Sequence, residues 1–187
     1  MSVRLERLPL AGAYLVRRVI HRDARGAFSE LWRDDEFQAA GLDVRFVQDN
    51  WAHSTRNVLR GLHYQQHHPQ GKLVTVVRGS IQDVILDMRH DSATFGRTHA
   101  TELSGEDGCA LWVPPGFAHG YCVLSDEADM LYKCTALYEP ADERGVRWND
   151  PSLAIPWKVR APILSERDAG WPDLSRRPKT EERREGL

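Results

Sequence analysis

A chain of 187 residues with 41% hydrophobic and 28% charged side chains suits one globular domain with a full core, needing no disulfide staples. Its formal charge of −2 supplies no basic field for a phosphate polymer, so clustered Arg and Lys point to a small anionic ligand rather than nucleic acid. No apolar run approaches the roughly 20 residues of a membrane span, and acid stands where a signal peptide has its apolar core, so a cytoplasmic protein without membrane contact is expected.

Val16–Ile20 reads as a first strand, His21–Gly26 as a polar turn, and Phe28–Trp32 as a second strand by alternation. Asp34–Ala40 reads as a short helix capped by Asp34 and stopped by Gly41. Val44–Trp51 is strand-like, with the amides of Gln48 and Asn50 on one face. The stretch Leu59–Gln65 places Leu59, Gly61, His63 and Gln65 on one face, and Arg60, Leu62 and Tyr64 on the other. Gln66–Gln70 is turn-like, which predicts that the strand carrying Lys72 returns antiparallel beside the one carrying His63 and brings both to one cavity.

From there the pattern predicts a strand, a turn at Gly79 and a strand over Ile81–Asp87, then a second pair over Thr98–Leu103 and Cys109–Val113. Pro114–Gly120 reads as a rigid turn that delivers His119. Tyr121–Leu124 and Met130–Tyr138 then read as paired strands, with Tyr132 and Tyr138 on one face by parity. Cys109, Cys122 and Cys134 lie in or beside apolar strands and are odd in number, as reduced buried thiols would be. Ser165–Ala169 begins a short helix, and Lys179–Glu185 is a charged tail without core residues. About ten short strands separated by turns predict an all-β, cupin-like jelly roll, a barrel or sandwich over residues 1–175, with 176–187 as the tail.

Pro114-x-Gly116-x-x-His119 on a jelly roll invites a metal-binding reading, but the first half of such a site is missing. His63 is followed by Tyr64 and Gln65, no Glu stands at ligand spacing, and His67 and His68 are adjacent on a turn. No metal and no other cofactor is therefore expected. The cavity offers His63, His119, Lys72, Arg60, Tyr132 and Tyr138, groups suited to proton transfer and to an anion.

Several long motifs resemble the dTDP-4-dehydrorhamnose 3,5-epimerase family, the metal-free cupin-like enzymes of deoxysugar-nucleotide biosynthesis. They are Asp23–Gly26 with Glu30, Phe46–Asn50, Val58–Gln65, Gln70–Val74, Trp112–Gly120, Leu131–Lys133, Arg147–Pro151 and Leu164–Asp168. The resemblance implies a homodimer that exchanges an N-terminal strand, and a dTDP-4-keto-6-deoxyhexose substrate epimerised at C3 and C5. It implies His63 as the base, Asp168 as the carboxylate that orients it, Lys72 beside the ketone oxygen and Tyr132 as the proton donor on the other face. Arg25, Glu30, Gln48, Asn50, Arg60, His119, Glu143 and Arg167 become nucleotide-sugar contacts, with Arg60 and Arg167 on the diphosphate and Tyr138 against thymine. Arg167 stands where the family pattern has Lys, which keeps the charge and changes the donor geometry. A C3-only epimerase would keep the same core set, and a non-enzymatic sugar-nucleotide binder would have no use for the base, its carboxylate and an opposed tyrosine together. Regular alternation puts Arg60 and His63 on opposite faces, whereas the resemblance puts both at the ligand; a bulge at Gly61 would reconcile them, and a regular strand would leave Arg60 to reach the ligand from the side or across the dimer.

Overall fold

The computed structural model describes residues 3–174; the charged tail expected over 176–187 lies outside the described residues. Strands β1 (Val3–Arg7), β2 (Tyr14–Arg18), β10 (Cys109–Val113), β7 (Lys72–Arg78), β12 (Glu127–Cys134) and β5 (Gln48–Thr55) form, in that order, a six-stranded sheet. Strands β13 (Glu143–Gly145), β6 (Leu59–Gln65), β11 (Phe117–Val123), β8 (Ser80–Asp87) and β9 (Thr98–Ser104) form a five-stranded sheet that faces it. A short hairpin of β3 (His21–Asp23) and β4 (Gly26–Phe28) stands apart, and the two helices are α1 (Asp34–Ala39) and α2 (Glu166–Ala169). None of the described helices is long and apolar enough to cross a membrane.

Between the sheets, Val74, Val76, Ile81, Ile85, Leu111, Val123 and Met130 make the central core from alternate, inward-facing positions. The outer faces are covered too. Phe37 of α1 and Leu42 pack on Val16, Leu73 and Trp112 behind the six-stranded sheet, while Val146 and Leu153 pack on Leu62, Val84, Leu86 and Ala118 behind the five-stranded one. A strand covered on both faces reads as a continuous apolar run, and this is why Ile81–Leu86 shows so little alternation.

The architecture is the expected cupin-like all-β fold, but its pairing differs from the hairpin reading. β6 and β7 are not neighbours: β6 pairs with β11 and β13, whereas β7 pairs with β10 and β12. Likewise β7 and β8, β9 and β10, and β11 and β12 each lie in different sheets. Short turns that look like hairpin closures in the sequence carry the chain from one sheet to the other. His63 and Lys72 therefore meet across the barrel rather than along a ladder.

Local boundaries shift as well. The first sheet strand before the hairpin is β2, ending at Arg18 rather than Ile20, and β1 precedes it, paired to it from Val3↔Arg18 to Arg7↔Tyr14. His21–Phe28 is a hairpin, and its second strand ends at Phe28 rather than beginning there and running to Trp32. β5 begins at Gln48, not Val44, and runs to Thr55. Helix α1 is capped from Arg33 without a side-chain bond, so Asp34 lies inside its acidic first turn, and Gly41 follows with φ +98°. His119 lies within β11, not on the preceding turn, and Tyr138 lies beyond the end of β12.

Candidate active site

One end of the barrel core turns polar, and the cause is parity. The inward-facing positions there are Gln48 and Asn50 on β5, Lys72 on β7 and Met130 and Tyr132 on β12, facing Arg60, His63 and Gln65 on β6 and His119 and Tyr121 on β11 of the other sheet. Together with Tyr138, Glu143 and Arg167 they line a cavity of about 320 Å³. A wider depression of about 520 Å³ between α1 and β5 shares only Gln48 with it, and its Lys133 is bound to Asp49 at 2.8 Å.

Arg60 and His63 both reach this cavity because the β6–β11 register shifts between them. His63 is opposite His119 and Arg60 opposite Tyr121, so Gly61 and Leu62 together face Gly120 alone. Only glycine serves at 61: φ is +128°, and a Cβ would stand 2.5 Å from Gly120 Cα and 2.9 Å from the His119 carbonyl oxygen. The bulge expected from the sequence is present.

His63 Nε2 lies 2.5 Å from Asp168 Oδ1. An ionised carboxylate only accepts, so the neutral imidazole carries its proton on Nε2 and leaves the Nδ1 lone pair free to act as a base. Helix α2 sets this carboxylate: Ser165 is its N-cap and accepts from Asp168 N at 3.1 Å. Burial pushes the Asp168 carboxyl up, but the His63 hydrogen bond, with the Ser165 hydroxyl, outweighs it and holds it below the usual carboxylate range.

Across the cavity, burial pushes the Tyr132 phenol up to about 12, keeping it a proton donor. Burial also pushes the Lys72 ammonium down, with Cys134, Glu143 and Asp83 partly restoring it. His119 is bound through Nε2 to both oxygens of the fully buried Asp83, at 2.9 and 3.0 Å. Arg60 is held by Ser54 Oγ (3.1 Å) and the His53 carbonyl (3.3 Å), and Ser54 also contacts the Tyr121 hydroxyl at 3.2 Å. Gln48 donates to Asn50 at 2.9 Å and accepts from the Tyr138 backbone N–H at 2.8 Å. Glu143 accepts from the Tyr138 hydroxyl at 3.1 Å and is paired with Arg167.

Eleven of the thirteen expected site residues thus converge, Asp168 through His63. Arg25 and Glu30 do not. Arg25 is exposed on the β3–β4 hairpin, where it forks onto Asp23 at 2.5 and 3.1 Å, and Glu30 is exposed beyond it.

The family model for dTDP-4-dehydrorhamnose 3,5-epimerase matches residues 7–176. A dTDP-4-dehydrorhamnose 3,5-epimerase of Methanothermobacter thermautotrophicus is 45% identical over 172 residues, covering 90% of this chain and 93% of its own. One from Shigella flexneri is 49% identical over 148 residues, 78% of this chain and 82% of its own. Among solved structures, the dTDP-6-deoxy-D-glucose-3,5-epimerase of Legionella pneumophila Philadelphia 1, in complex with dTDP-4-keto-L-rhamnose, is similar at TM-score 0.89 and 40% identity. That match covers 92% of this chain and 93% of the other. The chain belongs to the dTDP-4-dehydrorhamnose 3,5-epimerase family.

Membership of the dTDP-4-dehydrorhamnose 3,5-epimerase family makes the chain an isomerase, and the cavity has an isomerase's equipment for proton transfer. Sequence reasoning missed Asp83, Ser54 and Tyr121. Asp83 left a readable signal, a charge at an inward parity position within the apolar run Ile81–Leu86, which demands a buried partner. Ser54 left none, because only the strand's true end at Thr55 shows that it faces inward.

Proposed function

We propose that this chain inverts C3 and C5 of dTDP-4-dehydro-6-deoxy-D-glucose to give dTDP-4-dehydro-L-rhamnose, with His63 as base and Tyr132 as acid. The observation that carries this reading is their opposition. An imidazole backed by Asp168 stands on one sheet and a protonated phenol on the other, with the cavity between them. His63 Nδ1 removes the proton from a carbon α to the C4 ketone, and the electron pair moves onto the ketone oxygen as an enolate. The Lys72 ammonium stabilises that developing charge. Tyr132 then delivers a proton to the other face of the same carbon; once solvent has taken the proton from His63 and reprotonated Tyr132, repetition at the second α-carbon completes the inversion. Inversion needs one group on each face.

Binding falls to the groups around this centre. Arg60 and Arg167 suit the two phosphates, Tyr138 offers a ring for thymine, and Gln48, Asn50, His119 and Glu143 offer directed polar contacts to the sugar nucleotide. Arg25 and Glu30, remote from their own cavity, belong in this reading to a homodimer in which the N-terminal region reaches the partner's site. Exposed Phe28 and Val19 beside them are consistent with such a contact. Three buried free thiols fit the cytoplasm.

Among the described residues, no group of three or more His, Cys, Asp or Glu side chains that could hold a metal ion occurs. The test is turnover of dTDP-4-dehydro-6-deoxy-D-glucose in deuterated water after exhaustive chelation. Deuterium at both C3 and C5 of the L-configured product is expected. Label at C3 alone would reassign the chain to a C3 epimerase, and activity that returned only with an added divalent metal would overturn the mechanism.

A further inference from the structure

We infer that Trp171 is a positioning residue for the base, a wall that fixes the His63 imidazole against Asp168. The inference rests on the reading of His63 as base.

The Trp171 ring meets the His63 ring edge-on, with centroids 6.2 Å apart and planes at 68°. Asp168 and Trp171 lie three residues apart on one segment, so α2 and the turn after it present the carboxylate and the indole to the same imidazole. The segment is tied down on the far side: Arg147 N donates to the Pro172 carbonyl at 2.9 Å, and Leu174 N donates to Asp150 Oδ2 at 2.6 Å. Room for the indole is made by Gly145, which lies opposite His63 in the β13–β6 ladder. A Cβ there would overlap the ring, and its nearest neighbours would be three carbons of that ring. Trp171 Nε1 is buried with no acceptor among the described residues. The indole is thus placed for its shape and not for its hydrogen bond.

A base must keep near-attack geometry, and an imidazole held on one edge by a single carboxylate can still rock about that bond. The indole removes this freedom without touching the cavity, since Trp171 does not line it. Its loss should therefore lower kcat and leave nucleotide binding alone.

The test compares kcat, solvent deuterium exchange and calorimetric dTDP affinity in Trp171→Ala, Trp171→Phe and Gly145→Ala. Trp171→Ala should lose on the order of 10²-fold in kcat and exchange, as misplacement of a catalytic group does, with dTDP affinity unchanged. Trp171→Phe, which keeps a ring edge on His63, should recover most of that loss. Gly145→Ala should lower kcat by displacing the indole, and should add nothing in the Trp171→Ala background. Wild-type kcat in Trp171→Ala, a parallel loss of dTDP affinity, no recovery by Phe, or additive loss in the double variant would each overturn the inference. His63→Ala, assayed alongside, separates the two levels. If it keeps exchange, the base assignment fails; if it is inactive while Trp171→Ala is normal, only the role of Trp171 fails.

Discussion

In the proposed mechanism Lys72 carries the charge that matters most, and its environment would set a pH limit on activity. Its active form is the ammonium, and burial lowers its pKa from the usual lysine value. Activity is therefore expected to fall, as pH rises, through a value below that of an ordinary lysine, whereas Tyr132 at about 12 stays protonated throughout that range. A pH profile of kcat checks this: Lys72→Arg should move the alkaline limb upward, and Lys72→Gln should cost about 10²–10³-fold in kcat, as loss of an oxyanion donor does. An alkaline limb unchanged in Lys72→Arg would detach it from Lys72. Tyr138 is a binding residue in this account. Tyr138→Ala should weaken dTDP by about 1–3 kcal/mol if a base stacks on its ring, and calorimetry showing no change would remove it from the site.

At the scale of elements, the bulge on β6 decides whether Arg60 and His63 serve one cavity. Gly61→Ala is expected to inactivate the enzyme and to destabilise it by more than the roughly 1–3 kcal/mol of a strained backbone position, because the added carbon also meets the β11 backbone. Denaturant unfolding with a parallel activity assay measures both; an active, stable Gly61→Ala would mean that β6 can be regular. This bulge was legible because alternation along Leu59–Gln65 conflicted with the family resemblance, which puts Arg60 and His63 at one ligand, and a glycine stood at the conflict. The partners of each strand were not legible. Period-two patterns report which residues share a face but not which sheet receives the strand, so β6–β7 read as a hairpin although the turn crosses the barrel. The doubly covered β8 hid its alternation for a related reason. Helix α2 was readable as a short helix beginning at Ser165, whereas the place of Asp168 beside His63 was legible only through the family resemblance.

For the whole molecule, the two-sheet architecture sets His63 and Tyr132 on facing sheets at one cavity, the arrangement the proposed inversion requires. The homodimer reading makes a further demand: weakly active Arg25→Ala chains and inactive His63→Ala chains should regain activity when mixed and allowed to exchange, since one site of the mixed dimer has both residues intact. No recovery, with exchange verified by mass, would return Arg25 to a surface role. The central claim is the division of labour between His63 and Tyr132, and deuterium exchange at C3 of the substrate tests it most directly. His63→Ala should abolish exchange and inversion together, while Tyr132→Phe should still exchange C3 with solvent and scarcely invert it. Near-normal exchange in His63→Ala, with none in Tyr132→Phe, would contradict the account and make Tyr132 the base.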